Sequence, residues 1–426
     1  MAEPTILRDD VRRQLDAIGG ADIVVGIPSF NNARTIPHVV HAVTAGLAKY
    51  FPAHRAVLVN SDGGSSDGTP ALVAGAELGA TRAILLTQTP RPVHRVVTAY
   101  QGLPGKGSAF RTIFEIACRL RARACAVVDS DLRSITPEWL QLLLAPVLDE
   151  GFDYVCPLYA RHKFDGTITN SVVYPLVRAL YGRRIRQPIG GDFGFSGRLA
   201  AHFMDHDVWQ GDIARYGIDI WMTTTALVGD FRVCQSYLGA KIHDAKDPGA
   251  HLSTMLAQVT GSLFAQLEIH AAFWLEVRGS EPVPEFGFRY EVGLEPVAVD
   301  IGRMVRAYDQ GARDFAPLYA QFLDVETRGR LAKLAGRTPG TFHMPEDLWV
   351  RTIQAFVLAY HLRRLNPDHL LRSLTPLYLG RTASWVNQAA DYGAPEVETG
   401  LDALCALFES LKPRLADAWR EGRMPS

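Results

Sequence analysis

The chain has 426 residues, 47% of them hydrophobic, which is long for one core and sets two domains as the expectation. Its formal net charge is −1 and its pI ≈ 6.9, so no basic field recommends nucleic acid or an anionic membrane as a partner. No run of about 18 apolar residues exists to span a bilayer, and residues 1–22 carry mixed charge without the apolar stretch of a signal peptide. Cys118, Cys125, Cys156, Cys234 and Cys405 are scattered without metal-ligand spacing and read as buried thiols of a cytoplasmic protein.

Residues 8–18 have the pattern of a short amphipathic helix that Gly19-Gly20 ends. Ile23 to Ile27 reads as a buried strand, broken by Pro28-Ser29-Phe30-Asn31-Asn32, and a helix follows from 36 to 49. A second strand is expected at 56–60, then the loop Ser61-Asp62-Gly63-Gly64-Ser65-Ser66-Asp67-Gly68-Thr69 and a helix at 70–78. A third strand is expected at 83–87 and a helix at 109–120. The apolar run 124–128 reads as another buried strand, and Thr136-Pro137-Glu138 as the capped start of a helix. Further strands are expected at 153–158 and 231–238. Strands alternating with helices imply parallel βαβ units, an α/β fold. From about residue 252 long helical patterns dominate, as at 252–277 and 345–365, which sets a boundary near 250 between an α/β domain (1–250) and a mainly helical one (251–426).

Ligands of such sheets bind at the carboxyl ends of the strands, where Pro28, Asp62 and Asp131 all fall. Asp129-Ser130-Asp131 ends the 124–128 strand, and alternation points both carboxylates the same way. A carboxylate there suits a hard cation, Mg²⁺ or Mn²⁺, that can clamp a diphosphate; a solvated strand-end loop is the plain rival. Pro104-Gly105-Lys106-Gly107-Ser108 joins flexible glycines, a helix N-terminus and a cation, a combination that suits an anion. It lacks the spacing of a Walker A loop. Gly190-Gly191 lets backbone bend tightly against a small polar ligand or simply makes a turn. Asp219 starts a helix, either as a dipole partner or to meet an acceptor hydroxyl. His243, after Lys241-Ile242, is a candidate metal ligand. Arg161-His162-Lys163, followed by Thr167-Ile168-Thr169-Asn170, offers a guanidinium and hydroxyls to a carboxylate.

In this order the motifs resemble nucleotide-sugar glycosyltransferases of the GT-A fold, a Rossmann-like, mostly parallel sheet flanked by helices. Within that fold they resemble the retaining synthases that glycosylate glycerate or 3-phosphoglycerate, namely the mannosylglycerate, glucosylglycerate and glucosyl-3-phosphoglycerate synthases. The motifs cover residues 23–247, and a weaker similarity continues around Phe342-His343-Met344-Pro345. The resemblance implies a GDP-, UDP- or ADP-hexose donor, with Pro28, Ser29, Asp62, Gly105, Lys106 and Asp129 around the nucleotide and sugar. It implies a divalent metal on Asp131 and His243. It implies Arg161 and Thr169 on the acceptor, with Gly190, Gly191 and Asp219 beside the reacting groups. Asp192 stands where the family more often has Glu, and Lys246 where one subgroup has tyrosine near the acceptor.

The function so implied is transfer of glucose or mannose to D-glycerate or 3-phosphoglycerate, giving an α-glycosylglycerate compatible solute. Lys106, Asp129 and Asp219 carry the chemistry in that scheme. The alternatives are an inverting family 2-like enzyme with Asp219 as general base, and a nucleotidyltransferase or nucleotide-sugar binding protein on the same sheet. The periodicity of the C-terminal helices fits homo-oligomerisation and a packed core equally well.

Overall fold

The computed structural model describes residues 5–76, 91–242, 248–290 and 292–424. The strand expected at 83–87, His243 and Lys246 lie outside them. The described strands are β1 (Ile23–Ser29), β2 (Ala56–Asp62), β3 (His94–Ala99), β4 (Ala124–Val127), β5 (Tyr154–Ala160), β6 (Arg183–Arg184), β7 (Phe193–Ser196), β8 (Val233–Ala240), β9 (Glu281–Pro282) and β10 (Glu285–Phe286). The first helices are α1 (Asp9–Ile18), α2 (Ile36–Tyr50), α3 (Thr69–Gly75), α4 (Lys106–Arg119), α5 (Pro137–Leu148), α6 (Tyr174–Tyr181), α7 (Gly197–Met204) and α8 (Ile218–Val228).

The chain forms two compact units. The first comprises Met1–Ala160, Gln187–Lys246 and Val283–Leu294, and the second Arg161–Arg186, Asp247–Pro282 and Glu295–Ser426. The first unit is built on an eight-stranded sheet in the order β10-β8-β5-β7-β4-β1-β2-β3. β7 runs antiparallel to β4 and β5, and the other neighbours run parallel. Every residue of β1, β2 and β4 is buried, as expected of parallel strands covered on both faces.

Strand alternation sorts the two faces. Val25, Ile27 and Leu58 pack with Val39 and Val43 of α2 and with Leu140 and Leu143 of α5. Gly26 faces the other way, and a Cβ there would lie 2.5 Å from Ile113 of α4. Aromatic residues fill the space behind α4, where Phe114 meets Phe195, Phe203 and Trp209. The α/β architecture thus matches the expectation, while five described strands were absent from it: β3, β7 and the two-residue β6, β9 and β10. β3 is an edge strand whose residues His94, Arg95 and Thr98 hide its apolar alternation. β7 begins two residues past the Gly190-Gly191 bend, where no strand was expected, because the chain re-enters the sheet at Phe193 between β4 and β5.

The second unit is mainly helical, with α9 (Pro248–Ile269), α10 (Ala271–Trp274), α11 (Ile301–Asp314), α12 (Ala316–Tyr319), α13 (Val325–Leu334), α14 (Glu346–His361), α15 (Pro367–Gln388) and α16 (Ala394–Glu421). The helix expected at 252–277 breaks at His270, which caps α10. Buried Trp349, Phe356, Leu374 and Tyr378 belong to its core. No described helix is long and apolar enough to cross a membrane.

Candidate active site

The carboxyl ends of β1 and β2 form a loop built around one carboxylate. Ser29 and Asp62 are register partners, and Ser29 Oγ donates to Asp62 Oδ1 at 2.8 Å. Ser65 Oγ donates to the same oxygen at 2.7 Å, while the amides of Gly64 and Ser65 donate to Oδ2 at 2.9 and 2.7 Å. Asn60 Nδ2 donates to Ser29 Oγ at 2.9 Å. Pro28 and Ser29 are buried at the end of β1, and Phe30 beyond them is exposed. Asp62 thus spends both oxygens on its own loop, with neutral donors only among these contacts.

Two residues past β4 the environment is different. Asp129 Oδ1 lies 2.8 Å from Lys106 Nζ, and Oδ2 lies 2.8 Å from Lys241 Nζ. The Asp129 amide donates to Asp192 Oδ1 at 2.7 Å. Asp192 is fully buried, and its Oδ2 accepts from Lys241 at 2.7 Å and from the Tyr159 hydroxyl. Lys241 donates a third bond to Gly190 O at 2.8 Å. Lys106 also reaches Gly191 O at 3.3 Å and Asp219, whose Oδ1 and Oδ2 lie at 3.3 and 3.5 Å. Two ammonium groups and three carboxylates therefore form one cluster.

Local sequence explains how these groups meet. A Cβ at Gly105 would lie 2.5 Å from Ala214 O, and one at Gly107 would overlap Ile213 O, so both glycines let the start of α4 press against residues 213–215. That contact brings Lys106 towards Asp219 at the start of α8. Gly191 has φ +89°, and a Cβ there would run into the Asp129 carboxylate and Lys241.

The electrostatics follow from burial and pairing. Burial opposes the charge of Lys106, but Asp129 and Asp219, aided by Asp192, outweigh it and raise its pKa. Burial likewise pushes the Asp129 carboxyl upward, and Lys106 with Lys241 overcomes it, holding the group well below the usual carboxylate range. For Asp192 and Asp219 burial wins, helped by the charge of Asp129, and both carboxyls rise despite Lys241 and Lys106. Asp219 Oδ1 is buried and receives no hydrogen bond among the described residues; the Lys106 contact there is an ion pair without hydrogen-bond geometry.

Asp131 is half-buried in the turn after Asp129. That turn is fixed from below, because Thr35 Oγ1 donates to Ser130 O at 2.7 Å and Ser130 Oγ donates to Asn32 Oδ1 at 2.8 Å. Just beyond it the Arg133 amide donates to Ile242 O, and the Ile242 amide donates to Ser134 Oγ, both at 2.9 Å. The backbone around Asp131 is thus paired with the chain that leads to His243. His243 itself is outside the described residues, and among those described no group of three His, Cys, Asp or Glu side chains forms a cation cage. The Asp131 carboxylate is a hard oxygen donor of the kind that Mn²⁺ and Mg²⁺ take.

Arg161 and Thr169 belong to the second unit. Arg161 Nη1 pairs with Asp165 Oδ2 at 3.1 Å, and Thr169 opens a π-helical turn over Thr169–Val173. In the first unit the structure joins Lys106, Asp129, Gly190, Gly191 and Asp219 in one cluster and places Ser29 with Asp62 in another. It adds three members that sequence reasoning did not assign: Lys241, Asp192 and Tyr159. The signal for Lys241 lay two residues before His243 in the string Lys-Ile-His.

No curated protein sequence matches the chain. Among solved structures, glucosyl-3-phosphoglycerate synthase from Mycobacterium tuberculosis in complex with Mn²⁺, UDP-glucose and phosphoglyceric acid is 21% identical, covering 63% of this chain and 85% of that one, with a TM-score of 0.42. The same enzyme in complex with Mg²⁺ and UDP is 20% identical at the same coverage and TM-score. A third structure of it is 21% identical over 60% of this chain and 83% of that one, with a TM-score of 0.40. Residues 24–200 match the family model described as glycosyl transferase family 2, a segment that runs from β1 into α7 and stops before Asp219 and Lys241. The match gives residues 24–200 as a glycosyl transferase family 2 domain.

Proposed function

We propose that the protein is a metal-dependent retaining glycosyltransferase that moves glucose or mannose from a nucleoside-diphosphate sugar to D-glycerate or 3-phosphoglycerate, giving an α-glycosylglycerate. The observation that carries this reading is the meeting of Lys106, Asp129, Gly190, Gly191 and Asp219 at the carboxyl edge of the sheet. In this reading residues 1–250 bind the donor and residues 251–426 are the helical domain of a cytoplasmic enzyme. Pro28, Ser29 and Asp62 line the nucleotide side of the pocket. Lys106, at the N-terminus of α4, turns its charge to the diphosphate and stabilises it as it departs. Asp131 and His243 hold a divalent cation, which supplies the remaining neutralisation of that diphosphate. Asp129 and Asp219 hold Lys106 and the sugar in place. Arg161 binds the acceptor carboxylate in a bidentate manner, aided by Thr169. The acceptor hydroxyl then attacks from the face the diphosphate leaves, and a departing phosphate oxygen takes its proton. Positioning supplies much of the rate.

The test is incubation with Mn²⁺ or Mg²⁺, a panel of GDP-, UDP- and ADP-hexoses, and each acceptor, with proton NMR of the anomeric signal. An α-linked product that Asp131→Ala abolishes supports the reading. Product formation from neither acceptor refutes the glycerate assignment. One observation favours a second reading, inverting transfer with Asp219 as general base. Asp219 has a buried oxygen without a hydrogen-bond donor, and burial raises its carboxyl towards the range of a useful base. A β-linked product selects it.

A further inference from the structure

We propose that Lys241 is a positioning residue of the transfer reaction: it fixes the carboxylate of Asp129, and through that carboxylate it sets where Lys106 stands. The inference rests on the glycosyltransfer reading above.

An ammonium group has three N–H donors. Those of Lys241 go to Asp129 Oδ2 at 2.8 Å, Asp192 Oδ2 at 2.7 Å and Gly190 O at 2.8 Å. All three lengths are those of strong charge-assisted bonds. The side chain is 5% exposed, against 16% for Lys106. Lys106 has one short contact, to Asp129 Oδ1, and its other three lie at 3.3 to 3.5 Å. The two lysines therefore divide the work. Lys241 is saturated and has no donor left for a diphosphate, whereas Lys106 can turn.

Asp192 makes the clamp rigid. Its Oδ1 takes the Asp129 amide and its Oδ2 takes Lys241, so the Asp192–Lys241 pair grips both the backbone and the side chain of Asp129. The bond to Gly190 O ties the glycine turn to the same point, and Gly191 has no Cβ to block it. Only Asp129 Oδ1 is left facing Lys106. A shift of Asp129 displaces the more loosely held of the two lysines, and displacements of that kind cost rate more than affinity.

The test compares wild type, Lys241→Met, Lys241→Met/Asp192→Leu and Lys241→Arg, each assayed where circular dichroism shows it folded. Lys241→Met leaves a buried carboxylate unpaired and loses stability whatever its role. The double variant removes the unpaired charge and can restore part of the stability, although the Asp129 amide and the Tyr159 hydroxyl lose their acceptor. We expect its melting temperature to lie above that of Lys241→Met while kcat stays down roughly 30-fold or more and donor KM moves less than about threefold. Lys241→Arg keeps a cation but misplaces it, and loses kcat about tenfold at unaltered donor KM. Recovery of kcat with stability in the double variant, or unaltered kcat in Lys241→Arg, overturns the proposal. So does a loss confined to donor KM. Hydrogen exchange over residues 126–132 is read without substrate and accelerates about tenfold in the double variant if the clamp exists. Unchanged exchange overturns the clamp by itself. A wild type that transfers sugar to neither acceptor, but whose segment 126–132 loosens in the double variant, refutes the glycerate assignment and leaves the clamp standing.

Discussion

Each compact unit buries a lysine, and the two are treated in opposite ways. In the first unit Lys241 sits among two carboxylates and a carbonyl at hydrogen-bond distance. In the second unit Lys412, 7% exposed, donates to Val277 O and lies 6.0 Å from the centre of the Trp274 ring, with no carboxylate in an ion pair with it among the described residues. Burial and the nearby charge of Arg420 push its pKa down to about 8. The same side chain is thus a charge the fold depends on in one place and a charge the fold tolerates in the other. The lesson is that burial alone does not single a lysine out; the charged partners gathered around Lys241, and missing from the described ion pairs of Lys412, do.

The largest predicted effect breaks the comparison outright. Lys241→Met leaves Asp192 buried without its cation and removes one of two cations from Asp129, and should cost about 3–5 kcal/mol in urea unfolding. Lys412→Met strands no carboxylate and should leave stability at pH 7 the same or higher by up to about 1 kcal/mol. Equal losses in the two variants would mean that packing rather than charge holds both side chains.

A second lysine sharpens the contrast inside the first unit. Lys106→Met removes the looser of the two site cations and should lower turnover roughly 10²- to 10³-fold, the usual scale for losing one charge-stabilising donor. Asp129 keeps Lys241, and Asp219, whose carboxyl burial already raises, can take up a proton when its cation is lost, so the stability loss should stay below that of Lys241→Met, at about 1–3 kcal/mol. A Lys106→Met protein that turns over normally would remove Lys106 from the reaction.

Asp62 offers a carboxylate comparison. It ends β2 as Asp129 follows β4, yet it is held by two hydroxyls and two amides instead of two ammonium groups. Asp62→Asn turns one acceptor into a donor against those groups and should cost about 1–3 kcal/mol. Chemical denaturation with and without nucleoside diphosphate separates loop-building from ligand-binding, because only the latter weakens the stabilisation that the nucleotide gives.

How much of this was legible in the sequence depends on the range of the interaction. The strand ends near Pro28, Asp62 and Asp129 were readable to within about two residues, because apolar runs are local; β1 runs on through Pro28 and Ser29, and β2 through Ser61 and Asp62. The glycine-flanked start of α4 at Lys106 was readable for the same reason. The pairing of Lys106, Asp129, Asp192, Asp219 and Lys241 was not, since it joins side chains up to 135 positions apart and no local pattern encodes it. Asp192 looked like part of a glycine loop, and only the return of the chain into the sheet as β7 makes it a buried anchor. β3 escaped notice because an edge strand does not need the continuous apolar run that marks β1 and β4.

The smallest predicted effect tests the tolerated lysine by pH. In the unfolded chain Lys412 titrates at its ordinary value of 10.5, and in the folded protein at about 8. A cation whose folded pKa is depressed costs stability while it is protonated. That cost is complete below about pH 8, shrinks as pH rises towards 10.5, and vanishes above it. The second unit should therefore lose a penalty across this window, against the general loss of stability that alkali brings by discharging other lysines. Urea midpoints of wild type and Lys412→Met at pH 7.5, 9 and 10 isolate it, since the other titrations are common to both proteins and cancel in the difference. The advantage of Lys412→Met should be greatest at the lowest pH and fade towards the highest. An advantage that does not change with pH would show that Lys412 is as well solvated in the fold as outside it, and the contrast with Lys241 would then be one of partners alone.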